Sequence, residues 1–184
     1  MGVTPAPRML LAAVALTLAG CSLVREVEPD PAAIPAASLE ALGGEPTGPV
    51  VELGRGRTFG IGWRYSIYES DEGWCTQLET SNVSTAGCGQ LTAEGGTFGS
   101  VGFSGASDGP APVEGIVSAE VAEVWIETST GERFETTLMS LAVAGLDDKA
   151  FVGFGPENVP ITRVVAVDAA GEVIEVRDAP TTGQ

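Results

Sequence analysis

The sequence predicts an all-β domain, an immunoglobulin-like β-sandwich of about eight or nine strands, with a small closed β-barrel as the alternative. Three observations carry this. Apolar residues alternate with period two in TFGIGWRYSIYE. Gly, Asp and Ser turn signals recur at short intervals from about residue 50 onward. No stretch after residue 50 sustains the 3.6-residue apolar period of a helix.

The elements follow in order. In TFGIGWRYSIYE, Phe59, Ile61, Trp63, Tyr65 and Ile67 share one face and are the expected core. Gly60, Gly62, Arg64, Ser66 and Tyr68 share the other. The turn ESDEG then leads to WCTQLET as a partner strand. LETSNVSTAG reads as a polar loop, and the Gly-rich stretch after it as a long loop with one weak strand near Thr97 to Phe103. VEGIVS is a strand. VAEVWIETSTGERFETTLM is a hairpin, AFVGF a short buried strand, and ITRVVAVDAAGEVIEVR a closing hairpin. The two hairpins share a Gly-Glu after the turn, which is turn chemistry rather than a repeat.

Upstream, MGVTPAPRMLLAAVALTLAGCS has one positive charge, Arg8, and an apolar run from Met9 to Ala19. A membrane span needs roughly 20 apolar residues, so this run reads as a signal peptide over residues 1–20. Leu18-Ala19-Gly20-Cys21 resembles the lipobox of bacterial lipoproteins. That resemblance implies that Cys21 carries a diacylglyceryl group and becomes the first mature residue. Residues 21–49 are rich in Pro and Ala and read as a tether; residues 50–178 are the β domain and 179–184 a tail. The expected location is the extracytoplasmic face of a membrane.

Chemistry is bounded by what is missing. The chain has no histidine, which excludes His-dependent nucleophilic catalysis and His-ligated zinc. It has no phosphate-binding glycine motif and no CxxC. A formal charge of −16 argues against nucleic acid as a partner. No cofactor and no metal site is expected. With Cys21 spent on lipid, Cys75 and Cys88 remain as an even pair in an exported chain, and a structural disulfide is the expectation.

Candidate ligand residues are Trp125 and Tyr68, as aromatic platforms for sugars, and Arg64, from the local basic group Arg55, Arg57 and Arg64. The plainer reading of those arginines is pairing with the chain's own acids. Asp71-Glu72 and Asp147-Asp148 are the paired carboxylates, candidates for calcium or hydrolysis against the plainer reading of solvated turns. The segments WRYSIYESDEGWCTQLE with GCG, EVAEVWIETSTGERFE and VVAVDAAGEV resemble a group of small exported bacterial proteins. The resemblance implies an exported β domain with Cys75 and Cys88 paired, and brings no activity. Together these readings imply a lipid-anchored binding or interaction module, not an enzyme. Its partners would be the membrane and an envelope protein or polysaccharide. The alternative is a carboxylate-dependent hydrolase of cell-wall polymer.

Overall fold

A computed structural model describes residues 44–81, 83–89, 91, 93, 96–104 and 109–180. The lipobox with Cys21, the signal peptide, most of the tether and Asn82 lie outside the described residues. No described helix is long and apolar enough to cross a membrane.

The fold is all-β. Among the described residues there are twelve strands and one 3₁₀ turn, Ala142–Ala144. They form three four-stranded sheets, every pair antiparallel. The first is the meander β1 (Val51–Thr58), β2 (Ile61–Ser70), β3 (Gly73–Thr80) and β4 (Ser84–Gly89). The second takes β5 (Phe98–Phe103), β6 (Pro112–Val117), β10 (Lys149–Phe154) and β9 (Thr137–Ser140), in that order. The third runs β12 (Val173–Asp178), β11 (Ile161–Val167), β7 (Glu123–Thr128) and β8 (Arg133–Glu135). Each described sheet keeps two edges, so the barrel alternative falls.

The second sheet lies between the other two. Trp63, Tyr65, Ile67 and Leu78 of the first sheet pack with Ile116, Met139, Ala150, Val152 and Phe154 of the second. On the second sheet's other face, Val113, Val117 and Phe151 pack with Val124, Ile126, Val164 and Ala166 of the third. β10 therefore sends alternate side chains into two cores. A strand covered on both faces needs apolar residues at both parities, which is why AFVGF reads as a continuous apolar run.

TFGIGWRYSIYE is not one strand. Phe59 and Gly60 form the β1–β2 turn, with φ of 49° and 80°. Two consecutive positive φ values are the signature of the tight hairpin turn whose twist matches its strands. Phe59 is consequently 47% exposed, resting edge-on against Phe134 at 5.5 Å, and not on the core face as its parity suggested. Ile61 is half-buried, while Trp63, Tyr65 and Ile67 are core. The opposite face is buried as well. Tyr68 is fully buried, and Arg64 is shielded beside Glu79, its cross-strand neighbour.

LETSNVSTAG is likewise no loop. Most of it belongs to the β3–β4 hairpin, in which Cys75 pairs directly with Cys88, and the two form a disulfide. Small residues in STAGCG hid β4 from propensity. β1 was hidden too, because GRGRT offers no apolar alternation. Its Gly54 is there for close approach, since a Cβ would fall 2.8 Å from Met139 Sδ.

The look-alike hairpins share one turn. Gly131 N–H donates to Thr128 O and Thr128 N–H to Glu132 O; Gly171 N–H donates to Asp168 O and Asp168 N–H to Glu172 O. Both glycines have φ near +80°, so the common Gly-Glu marks a common three-residue turn. After the first hairpin the chain leaves the third sheet at Thr136 and enters the second as β9.

Candidate functional site

The first and second sheets meet closely along one side, where Gly54 of β1 lies against Met139 of β9. On the other side they part. β4 and β5, edge strands of their respective sheets, flank a cleft of about 570 Å³. Its floor carries Leu91 and Ile116, its β5 wall Gly102 and Phe103, and its β4 wall Thr85 and Gly87.

Glu114 stands in this cleft. It lies on β6 at the same parity as Ile116, so it faces the first sheet rather than solvent. Thr85 Oγ1 donates to Glu114 Oε1 at 2.6 Å. The Tyr65 hydroxyl also bonds the carboxyl, and Thr76 bonds that hydroxyl. Glu114 Oε2 is shielded from solvent and has no partner. Burial raises the Glu114 pKa above the usual carboxylate value, against the opposing hydrogen bonds from Thr85 and Tyr65. Burial also pushes the Tyr65 hydroxyl far up, and the nearby Glu114 charge adds to it. No lysine or arginine is among the described residues lining the cleft.

The residues singled out from the sequence lie elsewhere. Arg64 Nε donates to Glu79 Oε2 at 2.7 Å, and Arg55 Nε to Glu52 Oε1 at 2.6 Å, so these two arginines are matched by the chain's own acids. Tyr68 is fully buried and offers no exposed platform. Trp125 is half-buried, its Nε1 donates to Glu123, and the Arg133 guanidinium lies 5.1 Å from its ring centroid. Arg133 and Arg163 both bond Glu127, whose pKa is lowered chiefly by the hydrogen bond from Arg163. A sugar approaching that ring face would have to displace Arg133.

Asp71 and Glu72 are exposed at a turn tip. Asp148 Oδ2 accepts from Ala93 N–H at 3.0 Å, and Asp147 is exposed. No metal-ligating cluster occurs among the described residues. A second cleft of about 480 Å³, between Phe103 and Pro160, has apolar, proline and small polar residues and no charged side chain among its described lining residues. Nothing there demands a particular ligand.

The fold and the site define an all-β protein of stacked sheets, with a carboxyl-bearing cleft between two sheet edges. Compared with known protein families, curated proteins and solved structures, the chain matches none.

Proposed function

We propose that this chain is an extracytoplasmic binding module, held to its membrane by lipid at Cys21, whose ligand enters the cleft at Glu114. The single observation that carries the reading is the unpartnered, shielded Oε2 of Glu114 at the cleft between β4 and β5. A buried polar atom without a partner is costly, and folds rarely leave one without reason. The lipid anchor rests on the lipobox-like Leu18-Ala19-Gly20-Cys21. The immunoglobulin-like classification belongs to the same proposal, supported by the face-to-face packing of antiparallel sheets. Binding is favoured over hydrolysis because Glu114 is the sole carboxyl among the described residues of the cleft, and two-carboxylate hydrolysis needs a second.

The test blocks the cleft. Gly87 lines it on β4, and a Cβ there meets nothing within 4 Å. Gly87→Trp should therefore fill the opening without disturbing the fold. Wild type and variant are melted against a panel of amines, polyols, amino sugars and short peptides. At least one class should raise the melting temperature of the wild type and leave Gly87→Trp unchanged. A panel that shifts neither protein, or both equally, overturns the proposal.

A further inference from the structure

We infer that the cleft takes a cationic ligand, whose primary ammonium group pairs with the Glu114 carboxyl while its apolar part lies over Leu91 and Ile116. The inference rests on the cleft being the binding site and names the chemistry that site selects.

The carboxyl is held by two hydroxyl groups and meets no cation of the described residues. Thr85, reaching across from β4, fixes Oε1, and the Tyr65 hydroxyl from β2 bonds the same group. Both donors are mounted on strands, so the orientation of the carboxyl is set before any ligand arrives. No lysine or arginine among the described residues of the cleft matches the charge of that carboxyl, so a matching cation has to come from outside.

Charge narrows the donor further. A neutral hydroxyl would complete the hydrogen bond but leave a buried negative charge unmatched, whereas an ammonium group supplies both. No described cation of the chain lines the cleft to compete. An anion would meet the Glu114 carboxylate in a chain that is already strongly acidic, and is excluded on both counts.

The surroundings fit such a ligand in size and polarity. Gly87, Gly99 and Gly102 keep the opening free of side chains, and Ser100 and Ser104 add uncharged hydroxyls. β4 and β5 are edge strands of the described sheets, and edge strands present main-chain carbonyls to further N–H groups. The floor is apolar.

Binding should depend on pH in one direction. The groups facing Glu114 are Tyr65 from β2, Thr76 from β3, Thr85 from β4, Gly102 from β5 and Val152 from β10. Tyr65 is the one titratable group among them, and it stays neutral throughout the range of interest because its hydroxyl is pushed up. Affinity for an ammonium ligand should therefore rise with pH as Glu114 loses its proton.

The experiment titrates the folded protein with butylammonium, butanol and butyrate, followed by calorimetry and by amide NMR shifts at Gly87 and Gly102. Butylammonium should bind about 10- to 100-fold more tightly than butanol at neutral pH. Its affinity should rise as pH climbs from the ordinary carboxylate value of 4.5 through the raised one. Glu114→Gln keeps the shape and should erase the advantage of the amine. Gly87→Trp leaves Glu114 in place and should lose all binding, so the idea stays testable if Glu114→Gln folds poorly. If butanol binds as well as the amine and Gly87→Trp abolishes both, the cleft reading stands and the cation inference is overturned. If no probe binds, both fall.

Discussion

Trp63→Ala and Phe59→Ala together test where the first hairpin turns. The two residues share a parity in TFGIGW, so an uninterrupted strand would bury both alike. The structure separates them, with Trp63 2% exposed and Phe59 47% exposed. Trp63 sits in the first core cluster, 6.5 Å from Phe154 between ring centroids, and its Nε1 donates to Thr58 Oγ1. Truncation removes the ring and leaves a cavity, which typically costs about 3–5 kcal/mol. The upper part of that range is expected here. The closest neighbour across the ladder is Gly56, which has no side chain to lean into the space.

Phe59 has a different ledger. Its edge contact with Phe134 is worth about 0.5–1.5 kcal/mol. Its left-handed backbone costs on the order of 1 kcal/mol in any non-glycine residue, and alanine keeps that cost. Phe59→Ala should thus destabilise by no more than about 1.5 kcal/mol, while Phe59→Gly should recover part of the loss. Chemical denaturation with the disulfide intact measures all three variants. A loss below about 1 kcal/mol for Trp63→Ala, or a larger loss at Phe59 than at Trp63, would refute the placement of the turn.

The other predictions concern the disulfide, the closed side of the first core, and pH. Replacing both Cys75 and Cys88 by alanine reopens a closed segment of about 14 residues and should cost roughly 3 kcal/mol in denaturant midpoint analysis; in the wild type, non-reducing mass spectrometry should find the two cysteine peptides linked. Gly54→Val drives a side chain into Met139 and should destabilise by about 1–3 kcal/mol, with Met139→Ala restoring part of it as a double mutant. Glu114 has a raised folded-state pKa, so its contribution is full below the ordinary value of 4.5 and is lost as pH rises through the raised one. Glu127 has a lowered pKa, so its contribution is present above 4.5 and lost as pH falls. Melting curves across pH should therefore show Glu114→Gln gaining on the wild type toward neutral pH and Glu127→Gln converging on it in acid.

Much of the architecture was legible because it depends on local chemistry. The hairpin turns at Thr128–Glu132 and Asp168–Glu172, and the buried strand AFVGF, all announce themselves in a few letters. β1 and β4 did not, because their glycines and small residues serve close packing and cross-strand pairing that no single segment reveals. Tyr68 and Arg64 were placed on an outward face by parity alone, yet that parity turned out to be shielded too. Glu114 was missed for a related reason. An acid at one position of an alternating strand reads as solvent-facing. A signal was nonetheless present: in PVEGIV, apolar residues occupy both parities around Glu114. Both faces of such a strand are covered, so its one charged residue is at least half-buried on one of them.

That burial is the reason to regard Glu114 as more than a structural residue. Arg64 and Glu79 are also shielded, and Arg64 Nη2 too makes no hydrogen bond, but each meets the other's charge across adjacent strands. Glu114 has two hydroxyl partners and no cation. A glutamine would accept the bond from Thr85, fill the same space, and carry no desolvated charge, with its amide N–H groups in place of the second oxygen. The fold thus carries an electrostatic cost at this position that packing and hydrogen bonding do not require. Departures of this kind concentrate where a protein meets a ligand. Here the departure coincides with the one side on which the first two sheets separate, between edge strands whose small residues leave the way open. The cost and the opening are explained together if the missing positive charge comes from outside the chain.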